Sequence, residues 1–335
     1  PLTRNERLVG LTFFPGWFTS ELPLHAIGWQ ALATAAFAGK GALRSRAGML
    51  GLGLSVASWA TLARIWTESL KAGEVFDAAL REGLGEELDA GRDPQVPVEE
   101  AVITRRAIAE GPLAKLSKPW ITDANVAYGE FGRRNHLNIW RRSDIAPGAK
   151  APVLVQVHGG AWVIGNKDQQ AMPLMAHMAE RGWICVAINY RLSPRATWPD
   201  HIVDVKRALA WVKANIAGYG GDPEFVAITG GSAGGHLSSL AALSANEPEF
   251  QPGFEEADTS VSACVPFYGV YDLGGITQER AANDMRDRFL GPRVFGKDPK
   301  THLDEFVQAS PLAHVTEHTP CLLYTSPSPR DRTRS

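Results

Sequence analysis

Phe225-Val226-Ala227-Ile228-Thr229 runs without interruption into Gly230-Gly231-Ser232-Ala233-Gly234-Gly235. The first five residues read as a short buried strand, and residues 235–245 read as a helix. Between them a serine is set among residues that have small side chains or none. A strand and a helix joined by so sharp a turn pass close together, and only small neighbours leave room for that approach. The side chain at the tip of such a turn is exposed and held in place. Ser232 is therefore the candidate nucleophile, with Gly230 and Gly234 as the residues that permit the turn.

A second motif lies upstream. Residues 153–157, Val-Leu-Val-Gln-Val, form another apolar run and lead into His158-Gly159-Gly160-Ala161-Trp162. When an acyl group is transferred, its carbonyl oxygen gains negative charge, and two fixed backbone N–H groups can hold that charge. Glycines let the backbone come near enough to do so. The candidate donors are the amides of Gly159 or Gly160 together with that of Ala233. His158 belongs to the motif, and Trp162 has two readings, as the wall of an acyl pocket or as a core residue.

Taken in order, HGGAW, then Asn189-Tyr190-Arg191-Leu192-Ser193-Pro194, then Asp222-Pro223 before GGSAGG, resemble the esterase and lipase branch of the α/β-hydrolases. The likeness spans roughly residues 126–320. It is strongest to hormone-sensitive-lipase-like and feruloyl-esterase-like enzymes, and to membrane-linked actinobacterial lipase/esterases. The resemblance implies a mostly parallel sheet of eight strands, a Ser-His-Asp triad, a small-molecule or lipid ester substrate, and no metal or organic cofactor.

Periodicity agrees with an α/β fold. Residues 125–128 and 137–140, separated by a turn-forming stretch, predict an opening hairpin. Residues 184–188 and 263–267 are further continuous apolar runs, of the kind buried on both faces of a parallel sheet. Helical spacing appears at 170–181 and 201–216. Alternation of this sort places helices on both faces and gathers reactive groups at the carboxyl ends of the strands.

A serine hydroxyl needs a base, and the base needs an orienting carboxylate. By the resemblance both come late, after a strand opened by His318-Thr319-Pro320. The residues beyond Pro320 are Cys321-Leu322-Leu323-Tyr324-Thr325-Ser326-Pro327-Ser328-Pro329-Arg330-Asp331-Arg332-Thr333-Arg334-Ser335, a string similar to translated sequencing-adapter read-through. Its prolines and arginines do not suit a central strand. The expectation is a chain whose catalytic acid and histidine are absent, with 324–335 a non-native tail. Other groups fit the roles poorly. His236 sits one helical turn behind Ser232 and reads as packing, His201 as a solvated helix start, and His314 and His318 as part of a connection. Asp272 reads as a turn or helix cap before it reads as a pocket residue.

Residues 1–95 differ in character from 96–323, the catalytic part. Stretches 22–39 and 47–63 are almost free of charge, and the short connection between them carries Lys40, Arg44 and Arg46. Two readings stay open, a hairpin across a membrane or a pair of buried cap helices. In the first, the cations would lie on the cytoplasmic side and the catalytic part outside; in the second the chain is cytoplasmic. Residues 70–88 have an amphipathic pattern, and 91–97 read as a linker.

Composition narrows the function. With 335 residues, 44% of them hydrophobic, the chain can bury one large core and a smaller unit. A net charge of -2 offers no footprint for nucleic acid. Cys185 and Cys264 fall inside predicted strands, and three cysteines give neither a disulfide framework nor a metal-ligand spacing. Two alternatives to ester hydrolysis remain, an arylformamidase-like amide hydrolase and a non-catalytic domain that binds ligands or partners.

Overall fold

The structure, a computed structural model, describes residues 16, 18–85, 120–316 and 321–322. Its contacts separate into two units, Pro1–Pro112 and Leu113–Ser335. The boundary read at 95/96 and the tail 324–335 lie outside the described residues.

In the first unit, helices α1 (Pro23–Gly39) and α2 (Arg46–Ser69) pack as a hairpin, and α3 (Ala72–Leu84) follows. Ser45 caps α2 by accepting the Gly48 N–H at 3.0 Å, which satisfies one of the orphan amides of the first turn. A side chain at position 48 would fall 1.9 Å from the Ala42 carbonyl oxygen, so the turn closes only over glycine. Partly covered positions recur along the facing sides at Ala31, Thr34 and Ala38 and at Gly48, Leu52 and Ser55, where the Thr34 hydroxyl donates to that of Ser55 at 3.4 Å. The other sides carry large apolar groups in the open: Trp29 and Leu50 are 71% exposed and Leu54 is 74% exposed.

The second unit is built on a sheet of seven described strands, in the order β1-β2-β4-β3-β5-β6-β7. Its strands are β1 (Ile121–Ala127), β2 (His136–Trp140), β3 (Ala151–Val157), β4 (Ile184–Ile188), β5 (Gly221–Gly231), β6 (Ala263–Phe267) and β7 (Cys321–Leu322). Both neighbours of β2 run antiparallel to it, and all other pairs are parallel. Cys321 and Leu322 therefore do continue the sheet, in register with Ala263 and Cys264, although the sequence predicted that the segment from residue 321 onward would not.

Helices α4 (Met172–Glu180), α5 (Asp200–Asn215) and α6 (Ala233–Leu243) connect the parallel strands. Central strands read as unbroken apolar runs because helices cover both faces. On one face Leu154, Cys185 and Ala227 pack with Met175 of α4. On the other Val155, Val186 and Ile228 meet Ile202, Leu209, Leu237 and Leu240 of α5 and α6. Cys185 and Cys264 are both buried, and burial pushes each thiol up to about 12, so both are packing residues. The chain continues through α7 (Arg280–Met285), a π-helical segment Arg286–Phe295 and α8 (Leu303–Gln308). Parallel β3, β4, β5 and β6 all end at one edge, and the loops at that edge hold the site.

Candidate active site

Ser232 stands between the last residue of β5 and the first of α6, at φ +57° and ψ −118°. A non-glycine residue rarely adopts such a conformation, which costs about 1–3 kcal/mol and persists only where the surroundings enforce it. Two hydrogen bonds do so here. The Ser232 N–H donates to the Phe267 carbonyl at the end of β6, and its own carbonyl accepts the His236 N–H that opens α6, each at 2.9 Å.

The glycines around it are demanded by contact. A Cβ at Gly234 would lie 2.2 Å from the Val157 carbonyl oxygen, and one at Gly230 would lie 2.6 Å from the same atom. A Cβ at Gly159 would lie 2.5 Å from the Gly231 carbonyl oxygen. The elbow and the loop after β3 thus abut backbone to backbone, and the two sequence motifs form one structure.

That loop is held on both sides. The Gly159 N–H donates to Gln170 Oε1 at 2.7 Å, and its carbonyl accepts from His158 Nδ1 at 2.8 Å. Gly159 was one of two candidates for the oxyanion donor, and the Gln170 side chain already occupies it. The amides of Gly160 and Ala233 have no acceptor among the described residues. Gly160 takes φ +128°, with its carbonyl accepting from Val163 and Ile164 at 3.0 Å, so the chain turns sharply there and presents its amide.

The histidines are placed elsewhere. His158 is buried and stacked on Tyr190 with ring centroids 4.4 Å apart, and Tyr190 donates its hydroxyl to the His158 carbonyl at 2.9 Å. Burial lowers the His158 pKa to about 4, so the ring is neutral, with its proton on Nδ1 and a bare Nε2. His236 uses both nitrogens: Nδ1 accepts the Trp162 indole N–H at 3.1 Å, and Nε2–H donates to the Ala309 carbonyl at 2.8 Å. Burial lowers its pKa to about 4 as well. It is a packing residue, and Trp162, only 2% exposed, is part of the core.

His201 corrects the sequence reading. It is fully buried, with Nε2 against the Ser193 hydroxyl at 3.0 Å, because the loop 191–199 folds over the start of α5. Burial, and then the fields of His236 and Arg191, lower its pKa to about 3. His314 contacts Glu247 at 3.3 Å and the Gln308 carbonyl at 2.7 Å, and His318 lies outside the described residues. Asp272 is a turn cap whose carboxylate accepts the amides of Gly275, Ile276 and Thr277 at 2.6–2.9 Å. Among the described residues, nothing hydrogen bonds to the Ser232 hydroxyl.

Sequence reasoning missed Gln170, which no local pattern marks, and the anchor of the loop after β4. There Arg191 forks onto the buried Asp204 at 2.8–3.1 Å and also pairs with Asp200 at 2.8 Å. Only the NYRLSP string pointed to this loop.

A nucleophile elbow at the end of β5, a glycine loop at the end of β3 and helices on both sides of a mostly parallel sheet define the α/β-hydrolase class. Residues 143–327 match the BD-FAE family, and the chain belongs to it. It is 47% identical over 332 residues to the "Probable carboxylic ester hydrolase LipM" of Mycobacterium tuberculosis, covering 96% of this chain and 73% of that protein. It is 43% identical to "Esterase LipQ" of the same organism, over 91% and 68% of the two chains. Among solved structures, a bifunctional GH43-CE protein of Bacteroides eggerthii aligns with TM-score 0.52 and 25% identity, over 62% of this chain and 28% of the other. The butyrate-bound Est2 esterase of Thermogutta terrifontis aligns with TM-score 0.51 at 24% identity, over 62% and 71%, and supports the fold alone. The chain is a serine hydrolase of carboxylic esters.

Proposed function

We propose that Ser232 is the acylated residue and that Gly160 and Ala233 hold the oxyanion. The carrying observation is the enforced backbone of Ser232 pressed against the glycine loop, with two amides left free at the junction. The hydroxyl oxygen attacks the ester carbonyl, and the resulting oxyanion accepts the two N–H groups, each worth about 3 kcal/mol of barrier in comparable sites. The C–O bond to the alcohol then breaks, the alcohol takes up a proton, and water releases the acid from the acyl-enzyme.

The base of this cycle is not His158, His201 or His236, since each is buried and committed to structural contacts. A fluorophosphonate probe tests the assignment. Labelling that maps to Ser232 and vanishes in Ser232→Ala supports it, and labelling at another residue rejects it.

We further propose that α1 and α2 insert into a membrane as a hairpin, with Lys40, Arg44 and Arg46 on the cytoplasmic side and the catalytic unit outside. Helix α2 is long and apolar enough to cross a bilayer, and the outward sides of both helices are apolar. This placement favours lipid esters as substrates. Co-flotation of the chain with vesicles, lost on deleting residues 22–69, is the expected result; recovery of both forms in the lipid-free fraction rejects it.

A further inference from the structure

Three arginines stand together on the rim of the site. Arg133 and Arg134 lie in the turn Gly132–Asn135 that enters β2, and Arg195 lies in the loop that leaves β4. Because β2 runs antiparallel to β4, this turn and this loop meet at the same edge of the sheet that carries Ser232. Arg133 and Arg195 are exposed, and neither forms an ion pair with a described residue.

Arg134 ties the group to the catalytic loop. Its Nη1 donates to the Gly165 carbonyl at 3.1 Å. The Gly165 backbone is itself packed on that loop, since a Cβ there would lie 2.6 Å from both the Gly159 carbonyl oxygen and His158 Nδ1. Gly159 in turn abuts Gly231, the residue before the nucleophile. The arginines are near enough to oppose one another: burial, and then the charges of Arg133 and Arg195, hold the Arg134 guanidinium below its ordinary pKa.

Three of the neighbouring carboxylates are taken. Asp168 pairs with Lys167 at 3.0 Å, and Asp200 and Asp204 both pair with Arg191 at 2.8 Å. Glu130, on the loop of Arg133, forms no ion pair among the described residues. Like charges gathered without an ion pair to a described carboxylate raise the energy of the protein, and an anion bound between them lowers it. Guanidinium forks match carboxylate and phosphate oxygens in pairs.

We infer that Arg133, Arg134 and Arg195 form an anion subsite beside the nucleophile, and that the ester substrate carries a carboxylate or phosphate group a short distance from its scissile carbonyl. That such a ligand is a substrate rests on the assignment of Ser232 as nucleophile, whereas its binding does not.

The test is therefore a binding measurement without turnover. Monomethyl glutarate, dimethyl glutarate and inorganic phosphate are titrated into the full chain by calorimetry at low ionic strength. The monoanionic ester is expected to bind at least about fivefold more tightly than the neutral diester and to be displaced by phosphate. About 0.5 M salt should weaken the anionic ligand alone, because screening acts on charge. The preference should disappear in Arg133→Gln/Arg195→Gln, two exposed positions whose replacement leaves the fold intact, and persist in Arg142→Gln, whose partner Asp144 lies on the loop after the far end of β2. Equal binding of the two esters, or a preference that survives the double substitution, overturns the inference. Failure of fluorophosphonate to label Ser232 would overturn the esterase reading instead and leave the anion preference in place.

Discussion

Three neutral histidines in the interior of the catalytic unit make its stability depend on acid. His158, His201 and His236 have folded-state pKa values of about 4, about 3 and about 4, all lowered by burial. Once unfolded, each returns to about 6.5. Between these limits the unfolded chain binds more protons than the folded one, so stability is complete above the unfolded value and falls as the pH drops below it. At pH 5 each histidine forfeits about 2 kcal/mol, or about 6 kcal/mol for the three, and at pH 4 the sum reaches about 9 kcal/mol. A folded domain has only about 5–15 kcal/mol in reserve. The catalytic unit should therefore unfold between about pH 5 and pH 4, above the range in which the lowered carboxylates Asp258 and Asp272 begin to titrate. Urea midpoints followed by tryptophan fluorescence at pH 8, 7, 6, 5.5 and 5 would measure this, since Trp162 and Trp198 are buried in the same core. A free energy that stays flat from pH 7 to pH 5 would refute the reasoning, and so would a slope unchanged in His201→Gln.

Three other outcomes rest on backbone and ion-pair geometry. Ser232→Gly relieves a positive φ and should raise stability by about 1 kcal/mol while abolishing phosphonate labelling, both readable on one sample. Gly234→Ala drives a methyl group onto the Val157 carbonyl and should cost about 3 kcal/mol or more, seen as a lower urea midpoint. Asp204→Ala leaves the Arg191 guanidinium, 17% exposed, without its forked partner and should cost about 3–5 kcal/mol by the same measurement.

How far the sequence reached depended on whether the signal was local. The four central strands were legible because burial on both faces leaves no polar alternation, and the elbow because its glycines follow a strand directly. Residues joined across the chain were not legible. Trp162 and His236 are 74 positions apart, and nothing near either announces the bond between them. His201 sits beside two aspartates at a helix start, which is a solvated pattern until the loop 191–199 closes over it. Gly159 carried the right motif for an oxyanion donor, and only the distant Gln170 side chain shows that its amide already has an acceptor. Strand β7 was read as unsuited to pairing because the prolines after it weighed on the whole segment, whereas two residues alone make the register.

The imidazole of residue 236 has one further meaning for anyone who would redesign this enzyme. By gripping an indole from one loop with one nitrogen and the main chain at residue 309 with the other, it laces together parts of the rim that come from opposite halves of the chain. A segment such as 159–170 is consequently not a portable cassette. Transplanted without its distant clasp it would arrive loose, and a change near residue 309 would be felt at the cradle as surely as one made inside it.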